Sequence, residues 1–354
     1  MITILTIDSY NQGNRLQNYA LSETLKNLSG EEVRTARIRD FGGVRNSLWF
    51  PLSKAKASIK AMRSASDKRA VKFLDFTHRR IPTIQVTPKQ LVENDDIVVV
   101  GSDQCWNPDW GLGARADGLQ CVVGKAPIKK FSYAASFGVS ESHFTQEQKE
   151  RYGSWLKSLN SISVREKEAV KIVRGFSGRD AQLVLDPTML LTAAEWATLE
   201  RKPEGFPYAD DAFCLEYVLG KSGTDGPAHG YAERVGAPVY TLTNLTPEVG
   251  PEEFIWLIHH SHAVFTDSFH GSVFSLIFHR RLFVLERNDH LADMSSRFET
   301  LKQFSVFDSC IFDDSDSCFV VEHDQRDWDV YDAELAALRS DSIDWLRNAL
   351  SKCQ

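Results

Sequence analysis

The chain has 354 residues, which exceeds the size at which one hydrophobic core usually keeps growing, so two domains are expected. Hydrophobic residues make up 42% of the sequence and charged residues 25%, a composition that excludes a largely disordered chain. The net charge of −7 argues against a dedicated nucleic-acid-binding protein, which usually presents a basic face.

The first half of the chain alternates short apolar runs with helical patterns, which is typical of a mostly parallel sheet. A polar loop, residues 8–14, joins the first predicted strand to a helix with Leu16, Tyr19 and Leu25 on its apolar face. Each later strand also ends in polar residues. The predicted strands of this half cover residues 2–7, 97–100, 130–134, 161–164 and 183–185.

A second set of elements follows a linker at residues 202–207, which contains two prolines and a glycine. A helix over 251–262 begins with Glu252 and Glu253, which interact favourably with a helix N-terminus. The predicted strands of this half cover residues 213–218, 238–242, 263–265 and 282–285.

These patterns predict an α/β fold with two doubly wound domains that face a cleft. The first domain covers residues 1–200 and the second covers 208–330. A helix over 331–354, with leucines on one face, is expected to close the structure by packing back across both domains. Ligands of such sheets bind beyond the carboxyl ends of the strands.

Polar and charged side chains collect at those predicted strand ends. They form a candidate substrate-binding site in which no single residue is decisive. The candidates are Asn14, Gln17, Asp103, Gln104, Ser136, Arg165, Ser268, Phe269, His270 and Arg297.

Each candidate also has a structural alternative. A single histidine after a strand often bonds its own backbone, and Arg165 beside Glu166 is equally consistent with a surface ion pair. Asp103 is a possible turn cap, and Asp186 before Pro187 is interpreted as a turn residue. The joint occurrence of the candidates at strand ends is what favours a functional site.

Several sequence strings together resemble the polysaccharide pyruvyl transferase family. The resemblance runs from the first strand to about residue 305, and GSDQCWNP and TDSFHG carry most of its specificity. The strings are NQGNRLQ (11–17), GSDQCWNP (101–108), SYAASFG (132–138), SVRE (163–166), LDPTMLL (185–191) and TDSFHGSVFSLIF (266–278).

The resemblance implies two Rossmann-like domains, similar to GT-B glycosyltransferases, and an EC 2.5.1-type transferase. Pyruvate would move from phosphoenolpyruvate to sugar hydroxyls of a surface polysaccharide, or of its precursor, as a ketal. Asp103, Arg165, Phe269 and His270 match the phosphoenolpyruvate-contacting positions, with His270 and Asp103 as catalytic candidates. The reaction requires neither a metal nor a redox cofactor.

One position departs from the family pattern. Ser268 stands where some members have an arginine, so Arg297 or Arg15 must supply the donor-binding cation, or the donor differs. Two alternatives therefore stay open: a GT-B-like glycosyltransferase that uses a nucleotide sugar, and a non-catalytic glycan-pathway binding protein.

The remaining features bear on location and partners. The six cysteines lack C-x-x-C spacing, and no run of about 18 apolar residues occurs, so free thiols and a cytoplasmic protein are expected. Residues 54–80 contain nine basic and two acidic residues; they form either a solvated helix or a landing surface for a lipid-linked acceptor at an anionic membrane.

A cluster of histidines, His259-His260-x-His262, is not expected to bind a metal ion. Adjacent residues of a helix point about 100° apart, so two neighbouring imidazoles do not easily share one ion. The sequence leaves the oligomeric state open.

Overall fold

The computed structural model describes residues 1–38, 65–93, 97–109, 128–220, 226–243, 246, 249–285, 298–311 and 323–353. Within these ranges the fold is α/β with two parallel sheets. One has seven strands, in the spatial order Thr83–Val86 (β3), Val33–Ile38 (β2), Ile2–Leu5 (β1), Ile97–Val100 (β4), Lys130–Ala135 (β5), Ser161–Val164 (β6) and Gln182–Leu183 (β7). The other has four, in the order Arg281–Val284 (β11), Ala263–Thr266 (β10), Cys214–Tyr217 (β8) and Val239–Leu242 (β9). This architecture is a pair of Rossmann-like units of the GT-B type, as the sequence predicts.

The strands are short, and the central ones are buried along their whole length. β1, β5 and β6 consist entirely of buried residues, which is typical of parallel strands covered by helices on both faces. The strands are β1 Ile2–Leu5, β2 Val33–Ile38, β3 Thr83–Val86, β4 Ile97–Val100, β5 Lys130–Ala135, β6 Ser161–Val164, β7 Gln182–Leu183, β8 Cys214–Tyr217, β9 Val239–Leu242, β10 Ala263–Thr266 and β11 Arg281–Val284.

The helices cover the two sheets, and several begin with side-chain caps. Asn11 caps the first helix by accepting a hydrogen bond from the backbone of Asn14. The α-helices are α1 Gln12–Ser29, α2 Ala65–Arg80, α3 Pro88–Glu93, α4 Gln146–Lys157, α5 Lys167–Ser177, α6 Ala193–Ala197, α7 Pro227–Val235, α8 Pro251–His259, α9 Phe269–Ile277 and α10 Gln325–Ser351, and short 3-10 turns occur at 141–143, 187–189, 301–303 and 308–310.

Two strands of the first sheet were missed by the sequence patterns. β2 contains Arg34 and Arg37, and β3 has only one fully buried residue, so neither shows the apolar run of a central strand. β3 is the edge strand of the sheet and β2 is its neighbour, and both have partly exposed residues, which permits polar side chains. β7, at the other edge, spans only two residues and begins one residue before its predicted position.

The C-terminal helix begins earlier than the predicted residue 331. Asp324 and Asp327 form a reciprocal capping box that starts α10 at Gln325. Arg339 donates a hydrogen bond of 2.8 Å to the backbone of Met189, beside the first sheet. Asp332 lies 2.9 Å from His279, which follows α9, so the helix contacts segments from both sheets.

Helix α2 carries the described part of the basic stretch 54–80 and packs against α8. Arg79 donates two hydrogen bonds of 3.0 Å each to the buried carboxylate of Glu252, and Lys72 pairs with Glu253. These ion pairs between basic residues of α2 and carboxylates of α8 hold α2 against the second unit. Residues 54–64 lie outside the described part of the chain.

The described residues also show the state of the cysteines and the apolar character of the helices. Cys105, Cys214, Cys310 and Cys353 are free, buried thiols, as predicted, and burial raises the pKa of the Cys310 thiol to about 12. None of the helices in the described ranges combines the length and apolar character needed to cross a bilayer.

Candidate active site

Asp103 lies just beyond the carboxyl end of β4, in the left-handed backbone region with φ 62°. One carboxylate oxygen accepts a hydrogen bond of 3.2 Å from Arg165, and the other accepts one from the side-chain amide of Asn14. Its side chain is 14% exposed, so a ligand can reach this carboxylate. Asp103 therefore links the ends of three elements of the first unit.

Arg165 follows β6 and is only 1% exposed. It donates a hydrogen bond of 2.7 Å to Asp186, and its guanidinium lies 4.5 Å from the centre of the Phe269 ring. Burial alone would lower the pKa of the Arg165 guanidinium, but the carboxylates of Asp103, Asp186 and Glu166 raise it above its ordinary value. Arg165 is therefore a permanently charged centre of the cluster.

His270 comes from the second unit and faces the first. It lies in the first turn of α9, and its Nε2 is 3.8 Å from a carboxylate oxygen of Asp186. Burial would raise the pKa of the Asp186 carboxyl, but His270 and Arg165 hold it below its ordinary value. At the candidate site, one histidine of the second unit therefore meets one carboxylate and one arginine of the first.

Gly13, in the first turn of α1, makes room for the imidazole of His270. A Cβ atom at this position would lie 2.0 Å from His270 Nδ1 and 2.4 Å from Cε1. The absence of a side chain therefore fixes how closely α1 of the first unit approaches α9 of the second.

Replacing Gly13 by alanine is expected to displace the imidazole and to slow any reaction in which that imidazole takes part by about 100-fold, the cost of a displacement of about 1 Å at a reacting group. Alanine favours a helix more than glycine does, so the loss would not arise from α1 itself. Steady-state kinetics would measure it. Gly175→Ala in α5 is the matched control, because its nearest neighbour is 3.6 Å away. Equal activity of both variants would contradict the steric role of Gly13.

Asp186 was interpreted from the sequence as a turn residue, and that interpretation was incomplete. One carboxylate oxygen does cap the turn, by accepting hydrogen bonds from the backbone and hydroxyl of Thr188. The other oxygen pairs with Arg165 and faces His270. The Asp-Pro pattern predicts only the first role, because the second depends on a residue 84 positions further along the chain.

Asp267, three residues before His270 in the chain, supports a loop of the second unit. Its two oxygens accept hydrogen bonds of 2.7 and 2.9 Å from the backbone of Leu219 and Gly220. It therefore fixes the loop after β8.

The other candidates of the first unit support the loops of the site. Gln17 is fully buried and bonds Thr6 and Ser102, which holds the loop that leads to Asp103. Ser136 donates a hydrogen bond of 2.7 Å to Glu166. Gln104 packs against Gly138, and neither polar atom of its buried amide has a partner among the described residues.

The candidates of the second unit and the candidate cations occupy distinct positions. Ser268 caps α9 by accepting a hydrogen bond from the backbone of Gly271. Arg15 is buried and pairs with Asp8, which neutralises its charge. Arg297 lies outside the described residues.

Comparisons with known proteins agree with this architecture. A sequence profile described as polysaccharide pyruvyl transferase matches residues 11–290. No curated protein matches the chain at a significant level. Among solved structures, the UDP-GlcNAc 2-epimerase of Methanocaldococcus jannaschii is similar with a TM-score of 0.50 and 10% identity, over 96% of this chain and 91% of that one.

A second solved structure is the UDP-GlcNAc 2-epimerase of Neisseria meningitidis bound to UDP-GlcNAc, with a TM-score of 0.49 and 11% identity over 99% of each chain. At this level of identity, the similarity to the Methanocaldococcus enzyme concerns the fold alone.

Proposed function

Because this chain belongs to the polysaccharide pyruvyl transferase family, we propose that it transfers pyruvate from phosphoenolpyruvate to two hydroxyls of a sugar as a ketal. The acceptor would be a sugar unit of a surface polysaccharide or of its precursor. The observation that carries the proposal is the position of His270, which reaches from the second unit to Asp186 and lies against Gly13.

The proposed reaction needs one group that donates a proton to carbon. The protonated imidazole of His270 adds a proton to the methylene carbon of phosphoenolpyruvate while a sugar hydroxyl attacks the adjacent carbon. The carboxylate of Asp186, which is fully buried, stabilises the positive charge of that imidazolium by Coulomb attraction.

The remaining proton transfers balance the reaction. Phosphate then leaves, and a second hydroxyl of the same sugar captures the cationic carbon. Of the two hydroxyl protons, one restores the imidazolium of His270, which has given its own proton to the new methyl group, and the other ends on the released phosphate. Asp103, which is more exposed than Asp186, is the proposed acceptor for a hydroxyl proton before it passes to phosphate.

The two anionic groups of phosphoenolpyruvate need positive partners. The N-terminus of α9 contains no acidic residue in its first turn and is therefore suited to an anion. Arg165 is engaged by Asp103 and Asp186, so we propose that Arg297 supplies an additional cation. Ser268 offers a hydroxyl and no charge at this end of the helix.

A glycosyltransferase that uses a nucleotide sugar remains the enzymatic alternative, since a solved structure with a similar fold is that of a UDP-GlcNAc 2-epimerase. The discriminating experiment measures phosphate release from phosphoenolpyruvate, with and without a panel of acceptor sugars. We expect acceptor-dependent release, together with a rise in melting temperature with phosphoenolpyruvate and none with UDP-sugars.

The opposite pattern of stabilisation would overturn the proposal in favour of a nucleotide-sugar enzyme. Binding of phosphoenolpyruvate without phosphate release, for every acceptor tested, would favour a glycan-pathway binding protein. His270→Ala serves as the control that separates enzyme-catalysed release from background hydrolysis.

Contact with a membrane is a separate part of the proposal. Lys72 and Arg79 are paired with carboxylates of α8, so a basic surface would depend mainly on residues 54–64. Flotation of the protein with liposomes that contain or lack anionic lipid tests this contact, and equal recovery in both would exclude it.

A further inference from the structure

Three side chains of types that can bind a metal ion converge outside the candidate active site. Glu200 follows α6, and His259 and His260 lie at the C-terminal end of α8; their donor atoms are all within 4.8 Å of one another. Glu200 Oε2 is 2.8 Å from His259 Nδ1 and 3.3 Å from His260 Nε2. One carboxylate oxygen therefore faces two imidazole nitrogens.

The expectation that two adjacent histidines diverge fails here because the helix ends between them. His259 is the last residue of α8, whereas His260 is its cap, with φ −105° and ψ 13°. The backbone leaves the helical path at His260, so its ring turns towards the same carboxylate that His259 contacts.

Both imidazole rings are held in place by aromatic neighbours. His259 stacks on Phe278 with ring centres 4.2 Å apart and an angle of 15° between the planes. His260 stacks on Trp256 at 4.7 Å and 14°. Because the two rings are already oriented, their binding to a ligand costs little side-chain entropy.

The second nitrogen of His260 has a carboxylate partner. His260 Nδ1 lies 3.2 Å from Asp210, which also pairs with Lys202 at 3.0 Å. A histidine that donates its Nδ1 hydrogen to a carboxylate turns the lone pair of Nε2 outward, the arrangement that surrounds many zinc-bound histidines. Here Nε2 is buried and makes no hydrogen bond within the described chain, although the Glu200 carboxylate lies close to it.

From this geometry we propose that Glu200, His259 and His260 bind a zinc ion. Two imidazole nitrogens and one carboxylate oxygen form a donor set that zinc prefers, with water as the fourth ligand. For tetrahedral zinc–ligand bonds of about 2.0–2.1 Å, the two donor atoms that lie farthest apart would have to move closer together by at most roughly 1.5 Å. The side chains are 22–27% exposed, which leaves them room to make that adjustment.

The site would stabilise the connection between the two units and take no part in pyruvyl transfer. His259 and His260 precede β10, whereas His270 follows it, so the two sites lie at opposite ends of that strand. Glu200 precedes the segment that leads to β8, and a shared ion would tie this segment to α8.

The experiment titrates zinc into the full chain after removal of metals with EDTA and of any affinity tag. We expect one bound equivalent by equilibrium dialysis and a rise in melting temperature. Cobalt in place of zinc should produce visible absorption of a tetrahedral site. Glu200→Gln and His260→Ala should each weaken binding by at least about tenfold, and Asp210→Asn, a positioning residue, by about 10–100-fold.

His143→Ala is the matched control, because His143 is a partly exposed histidine paired with one carboxylate, Asp109, at 2.7 Å. Its zinc affinity should equal that of the unchanged protein. Absence of zinc binding, or the same affinity in the control and in Glu200→Gln, would overturn the proposal. Pyruvyl transfer by Glu200→Gln should be unchanged, so failure of this proposal is distinguishable from failure of the proposed activity.

Discussion

Replacing His270 by alanine is expected to lower the rate of pyruvyl transfer by about 10²- to 10⁴-fold, the usual contribution of a general acid. The variant should still fold, because His270 packs where the two units meet, against Gly13 and Asp186, and alanine only removes atoms there. Phosphate release measured at saturating phosphoenolpyruvate gives the rate, and circular dichroism with a melting curve checks the fold.

The design of this experiment separates chemistry from binding. If His270 acts mainly as an acid, kcat should fall far more than the affinity for phosphoenolpyruvate, which thermal stabilisation reports. His229→Ala, a partly exposed histidine of α7, is the control and should retain full activity. Unchanged turnover in His270→Ala would remove this residue from the mechanism.

Replacing Arg165 by methionine is expected to lower the free energy of unfolding by about 3–5 kcal/mol, because it leaves buried carboxylates without their counter-charge. Asp186 is fully buried and depends on this guanidinium for a hydrogen bond of 2.7 Å. Urea unfolding would measure the loss. Arg174→Met, which removes an exposed pair with Asp180, should cost no more than about 1 kcal/mol.

The pH dependence of the unfolding free energy provides a second test of Arg165→Met. In the folded protein the pKa of Asp186 is lowered, chiefly by His270 and Arg165 against the opposing effect of burial. A lowered folded pKa contributes stability that is present above the unfolded pKa and lost as the pH falls through the folded one. The difference in stability between the unchanged protein and Arg165→Met should therefore shrink towards acid pH.

A constant difference in unfolding free energy across that acidic range would contradict the electrostatic account. Arg165→Lys supplies an intermediate case if the methionine variant does not fold. It retains the charge but loses the two-sided contact with Asp103 and Asp186, and it should be less stable than the unchanged protein.

The central part of the fold was predictable from short-range patterns. β4 and β6 were predicted at their observed positions, because β4 is a continuous apolar run and β6 alternates serine with isoleucine and valine. The edge strand β3 and its neighbour β2 were not, because partial exposure allows polar and charged residues, such as Arg34 of β2, in them. The capping box at Asp324 was present in the sequence but did not enter the prediction of α10.

The sequence by itself determined the family, the parallel α/β architecture and the strand ends that carry Asp103, Arg165 and His270. Only the tertiary structure decided which of these groups meet. Asp186 became a partner of Arg165 and His270, and Gly13 became the space that holds the imidazole. Contacts between residues far apart in the chain depend on how the two sheets pack against each other. A local sequence pattern does not determine which of those residues meet.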